Sequence, residues 1–107
     1  MIARPAVSIA VALLLAACQS HTSATKATTY ACSDGRQVQA AYPDTESAVL
    51  TLDGKTHHLH RAISADGARY VGDGWQWWTK GMEQGMLAPL KPGESIASAG
   101  GVTCQAR

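Results

Sequence analysis

Polar and apolar residues alternate in short runs along this chain, and the runs are separated by turn-forming pairs. "RQVQAAY" (Arg36 to Tyr42) alternates as a half-buried strand should. "AVLTL" (Ala48 to Leu52) and "KTHHLH" (Lys55 to His60) flank Asp53-Gly54 and predict a hairpin. "ARYV" (Ala68 to Val71) and "WQWW" (Trp75 to Trp78) flank a Gly-Asp-Gly turn and predict a second one. "MLAPL" (Met86 to Leu90) contains Pro89, which suits an edge or a bulge. "GVTCQ" (Gly101 to Gln105) closes the series. Asp-Gly recurs at Asp34-Gly35, Asp53-Gly54, Asp66-Gly67 and Asp73-Gly74, and both residues tolerate the positive φ of tight hairpins. No ten-residue segment keeps a helical apolar stripe. The pattern predicts an all-β antiparallel meander of about seven or eight short strands, closed as a barrel or a tight sandwich.

The first stretch does not follow this pattern. Arg4 precedes an apolar run from Ala6 to Ala16, which is too short to span a bilayer and ends in small residues. Residues 1–17 read as a signal peptide, and "LAAC" (Leu15 to Cys18) resembles a bacterial lipobox. That resemblance implies cleavage before Cys18 and lipid on its sulfur and new amino group. Gln19, in place of Asp, points to the outer membrane. Several acyl chains anchor far better than one, at about 0.8 kcal/mol per buried CH₂. Residues 18–27, rich in Ser, Thr and Ala, read as a lipidated flexible tether, and residues 28–107 as the domain.

Lipidation changes the cysteine count. Of three cysteines, Cys32 and Cys104 then remain, with one possible pairing in an oxidising compartment. Such a bridge stabilises the domain by about 4 kcal/mol in the chain-entropy model. Charge adds little. Nine Lys/Arg include Arg4, so eight remain against eight Asp/Glu. That balance speaks against a nucleic-acid partner and against a polybasic membrane sensor.

Candidate chemistry is sparse. His58 and His60 share a strand face and His57 takes the other. Two imidazoles fall short of the three or four ligands of a metal site, so the cluster reads as a solvated face and no metal or other cofactor is expected. Ser64, a histidine and Asp66 sit in no nucleophile-elbow context, so the chain does not read as an enzyme. Trp75 and Trp77 share one face and read as core, with Trp78 opposite. Lys80 at the end of that strand is, on pattern alone, a solvated lysine.

Two further segments change its weight. "SADGARY" (Ser64 to Tyr70) and "WWTKG" (Trp77 to Gly81) resemble the paired motifs of the membrane-bound inhibitors of C-type lysozyme. The likeness extends to "YAC" (Tyr30 to Cys32), "AYPDTESAVLTLDGK" (Ala41 to Lys55), Cys104 and the lipobox. It implies an eight-stranded antiparallel β-barrel with one disulfide, and a loop entering the lysozyme cleft. Lys80 is then the lysine that reaches the catalytic carboxylates. Gly67 and Gly81 shape the loops, Tyr70 and Trp78 support them, and Thr79 and Asp66 are polar contacts. Arg69 is left to either the partner's surface or a neighbouring strand. The family motif usually has a serine where this chain has Asp66. Two other readings fit the sequence: a lipoprotein barrel holding a glycan or small ligand on the Trp75 to Trp78 hairpin, and a structural envelope lipoprotein.

Overall fold

In a computed structural model, which describes Ala3, residues 26–98 and residues 100–107, eight strands form a closed antiparallel barrel. They are β1 (Thr28–Cys32), β2 (Gln37–Asp44), β3 (Ser47–Leu52), β4 (Lys55–Ala62), β5 (Ala68–Gly72), β6 (Trp75–Lys80), β7 (Gln84–Pro89) and β8 (Val102–Ala106). Each pairs with its neighbour in sequence, and β1 pairs with β8 to close the ring. The alternative of a tight sandwich is therefore replaced by the barrel, which has no free edge to protect. The signal peptide, Cys18 and most of the tether lie outside the described residues, save Ala3 and the tether's last two, Lys26 and Ala27.

Alternation works here because one side of every strand faces a single core. β3 reads half-buried, buried, half-buried along Ser47–Leu52, with Ala48, Leu50 and Leu52 inside. Val38 and Ala40 from β2, Leu59 from β4, and Leu87 from β7 join them. Trp77 fills the centre and is fully buried, its ring edge-on to Tyr30 at 5.0 Å. Its indole N–H donates to the Tyr42 hydroxyl at 2.9 Å, so the one polar atom of that ring is satisfied. Burial pushes the Tyr42 hydroxyl pKa upward, so it stays neutral while it accepts this bond. Gly85, paired with Thr79, lies against the Trp77 ring, which any Cβ would overlap. Trp75 is half-buried on the same inner face, and Trp78 stands on the outer face, as the alternation requires.

Two of the four Asp-Gly pairs are two-residue hairpin turns. Asp53 and Gly54 have φ of 50° and 77°, and Asp73 and Gly74 have 53° and 81°, the left-handed pair that matches strand twist. Asp34 sits instead in a four-residue link, where its carboxylate accepts Arg36 N–H at 3.0 Å and Nε–H at 2.7 Å. Asp66 belongs to the β4–β5 loop. Pro89 lies beyond the β7–β8 ladder, which ends at Leu87↔Val102, so β7 has one free side there, a local edge that suits proline. It is the last residue of β7, opposite Trp75, where strand pairing ends.

Cys32 and Cys104 face each other across the β1–β8 seam and are bonded. The disulfide thus fastens the pairing that closes the ring, the one between the chain's first and last strands. The strand count has a geometric consequence. With eight antiparallel strands, the start of β1 and the end of β8 emerge at one end of the barrel. The β2–β3, β4–β5 and β6–β7 loops share that end.

Candidate functional site

Lys80 ends β6 at that end of the barrel, on the outer face. Its Nζ stands 3.6 Å from Asp66 Oδ2, and the two side chains are 66% and 71% exposed. An ion pair so exposed is worth only about 0–1 kcal/mol. It places the ammonium without locking it, and a better-desolvated carboxylate could take it over.

The loop that carries Asp66 is held more firmly than its charge. The Trp78 indole N–H donates to the Asp66 carbonyl at 2.7 Å. The Ser64 hydroxyl donates to the Gly67 carbonyl at 3.2 Å. Gly67 has φ +66°, and a Cβ there would overlap the Thr79 carbonyl, so only glycine lets the loop lie this close to β6. The register Ala68↔Thr79 and Arg69↔Trp78 then brings Asp66 beside Lys80. On the other side, the Tyr30 hydroxyl donates to the Met82 carbonyl at 2.8 Å. The turn after Lys80 is therefore pinned by a core residue of β1.

Two concavities flank the pair. A groove of about 240 Å³ on the outside is lined by Asp66, Trp78, Lys80, Gln84, Gly85 and Met86. The barrel mouth, about 640 Å³, is lined among others by Tyr42, Arg61, Gly67, Tyr70, Thr79 and Gly81. The two loops form the rim between them.

Of the residues singled out in the sequence, Lys80, Asp66, Gly67, Thr79 and Gly81 meet on this rim. Thr79 is buried, with its hydroxyl toward the Ala68 carbonyl at 3.4 Å. Tyr70 is 6% exposed and packs against Tyr42 at 5.6 Å, so it supports the rim from beneath. Arg69 is decided in favour of internal contacts: it is buried and bonds to Ile63, Gln76 and Ser95. The tryptophans do not share an exposed face. Trp77 is core, Trp75 lies under the Arg36 guanidinium at 5.5 Å, and Trp78 under that of Arg69 at 5.8 Å.

The histidines lie elsewhere. His57 Nδ1 is 2.8 Å from Asp73 Oδ2, and His58 and His60 are exposed on the outer face of β4. Among the described residues no three His, Cys, Asp or Glu side chains cluster as metal ligands. Ser64 spends its hydroxyl on a carbonyl and bonds to no histidine. The sequence reading missed the role of the Trp78 N–H and the exposure of Met82, Met86 and Ile63, the last 93% exposed. It also left the β7–β8 link, Leu90 to Gly101, without any role. Ile63, Met82 and the β7–β8 link lie in loops, which have no face to alternate across. Trp78 and Met86 stand on the outer faces of β6 and β7, where alternation predicts solvent and not a role.

The barrel matches known proteins. The family model described as membrane-bound lysozyme-inhibitor of c-type lysozyme (MliC) matches residues 30–90. A membrane-bound lysozyme inhibitor of C-type lysozyme from Cupriavidus necator is 40% identical over 85 residues, 77% of this chain. One of the same name from Pseudomonas aeruginosa is 34% identical over 87 residues, 78% of this chain. The match spans 66% of each relative's own length. A crystal structure of Pseudomonas aeruginosa MliC in complex with hen egg white lysozyme superposes with a TM-score of 0.54 and 29% identity. It covers 77% of this chain and 81% of that one. The closed barrel, the Cys32–Cys104 seam and a family match across most of the strands lead to one conclusion: the chain belongs to the family of membrane-bound inhibitors of C-type lysozyme.

Proposed function

We propose that this protein inhibits C-type lysozyme by placing the Lys80 rim in the enzyme's substrate cleft. The observation that carries the reading is the rim itself: an exposed ammonium, held on a rigid barrel end beside a loop that is tied down at Asp66 and Gly67. The relatives are named as inhibitors and a family member is seen with hen lysozyme, which supports a binding role and not an enzymatic one.

The mechanism follows from glycosidase chemistry. The cleft of a C-type lysozyme holds two carboxyl groups, one that must donate a proton and one that must stay anionic. An ammonium entering that water-poor site stabilises both as anions, so the acid loses its proton and cannot protonate the leaving oxygen. The barrel end excludes the sugar at the same time. No covalent step is involved, and no cofactor is required. Lys80 leaves Asp66 for the partner's carboxylates because the exposed pair is weak, while a desolvated charge-assisted contact is stronger.

The membrane-bound description of the relatives supports association with a membrane. We place that attachment at a lipidated Cys18, with residues 18–27 as tether and the outer membrane as the site. The barrel of residues 28–107 is then displayed beyond it.

The test is lysis of bacterial cell walls by hen lysozyme in the presence of the oxidised domain, Gln19 to Arg107. Lys80→Ala should weaken inhibition by about 2–5 kcal/mol, the cost of truncating one member of a buried charge pair. Equal inhibition by wild type and Lys80→Ala would remove Lys80 from the mechanism. Inhibition by neither would remove the reading.

A further inference from the structure

Arg69 lies on the outer face of β5, yet it is only 8% exposed. It takes part in none of the ion pairs among the described residues. Its guanidinium bonds to neutral acceptors from three segments. Nε and Nη2 donate to the Ile63 carbonyl at 3.1 and 2.8 Å. Nη1 donates to the Ser95 carbonyl at 2.9 Å and approaches Gln76 Oε1 at 3.4 Å. The same Gln76 oxygen accepts the Ala97 N–H at 3.0 Å. The guanidinium also covers the ring of Trp78, whose N–H holds the Asp66 carbonyl.

A buried cation without a counter-ion is costly unless all its donors are used. Barrel closure does not need it, since the backbone ladders of β5 with β4 and β6 are complete through this position. What the side chain does achieve is to fasten two loops. It ties the start of the β4–β5 loop, at Ile63, to the β7–β8 link, at Ser95 and through Gln76 to Ala97. The other end of the β4–β5 loop is the Asp66 and Gly67 rim.

We propose that Arg69 is a positioning residue through which the β7–β8 link sets the rigidity of the Asp66 loop, and thereby the affinity for lysozyme, without touching the enzyme. The proposal rests on the inhibitor reading above. Affinity gained this way comes from pre-organisation: a loop already ordered loses less freedom on binding. The link's contacts, Ser95 to Ala97, lie beyond the stretch that the family model matches, residues 30–90. A segment outside the family's common motif would thus tune the site inside it.

Gln76 provides the test, since it is buried and lines neither concavity. Gln76→Leu removes the acceptor shared by Arg69 and Ala97. Gln76→Glu keeps an acceptor oxygen for Arg69 and Ala97 and adds a counter-charge. Two quantities are read: the dissociation rate from hen lysozyme, and the backbone order of residues 63–67 by nitrogen relaxation in the free protein. Gln76→Leu should dissociate about ten-fold faster, and its loop order parameters should fall from about 0.85 toward 0.6. The core amides of Leu50 and Leu87 should keep their protection, and Gln76→Glu should behave as wild type. Unchanged dissociation, unchanged loop order, general loosening of the core, or a Gln76→Glu variant as impaired as Gln76→Leu would each overturn the proposal. If Gln76→Leu does not fold, Arg69→Lys carries the same test, because it keeps the charge and loses the fork. A wild-type chain that fails to bind lysozyme sinks the inhibitor reading and this inference with it. Unaltered loop order with wild-type binding intact sinks this inference alone.

Discussion

At Asp66 a carboxylate stands where the family motif usually has a serine, and it lies 3.6 Å from the Lys80 ammonium. In the free protein the pair is attractive but weak, at about 0–1 kcal/mol. In the proposed complex the balance changes. Asp66 would enter a cleft that already holds two carboxyl groups, and like charges about 10 Å apart repel by about 1–2 kcal/mol at an effective dielectric of 20. Repulsion is then the larger effect, so removing the charge should help binding. We expect Asp66→Ser to tighten the complex with hen lysozyme by about five- to thirty-fold, and Asp66→Asn to do nearly as much. The Kd of each variant by calorimetry checks this. A Kd that is unchanged or weaker would mean that Asp66 orients Lys80 more than it repels the partner. The proximity of these two side chains was only partly legible in the sequence. Motif resemblance brought both residues forward, while pattern alone read Lys80 as a solvated lysine at the end of a strand. Their 3.6 Å approach depends on the close packing of Gly67 against the Thr79 carbonyl, which no pattern of polar and apolar residues encodes.

Among the elements, the β7–β8 link has its own internal brace. Glu94 accepts the Ser98 hydroxyl at 2.6 Å and the Lys91 N–H at 2.9 Å. These bonds, the Ser98 one first, hold its carboxyl below the ordinary value of 4.5, and the Lys91 charge adds to them. A group whose pKa falls on folding stabilises the fold above its unfolded value and loses that contribution as pH drops through the folded one. The link should therefore stay docked from neutral pH to about 5 and loosen only below about 4.5. The Ala97 amide signal, which reports its bond to Gln76, should hold its position down to that range and then move. Glu94→Gln should abolish this pH dependence. Movement of the Ala97 signal between pH 7 and 5 would show that another group governs the link. The strands themselves were legible because a closed core imposes a period of two on β2, β3 and β4. The link escaped notice for a physical reason. It docks through the Ser95 carbonyl and the Ala97 N–H, groups that nearly every residue carries, so its side chains need no pattern.

At the scale of the whole molecule, an even number of antiparallel strands has a functional consequence. The chain enters β1 at the same end of the barrel that carries the Lys80 rim. If Cys18 is lipidated as proposed, the rim faces back toward the side from which the tether arrives. Residues 19–27, fully extended, reach at most about 30 Å. A small globular domain is also about 30 Å across. A lysozyme could therefore dock on the anchored protein only with the tether nearly at full stretch, or with the barrel tilted so that the rim points sideways. Tether length should then decide inhibition by the anchored form and not by the released one. Deleting residues 20–25 should abolish inhibition by the lipidated protein in vesicles made with bacterial outer-membrane lipid. The same deletion should leave the soluble domain fully inhibitory, because the barrel core is built from β1 to β8 alone. Restoring the length with a Gly-Ser segment of any order should restore inhibition, since reach and not sequence is at issue. Undiminished inhibition by the shortened anchored form would mean that the barrel lies on its side at the membrane, with the rim open laterally.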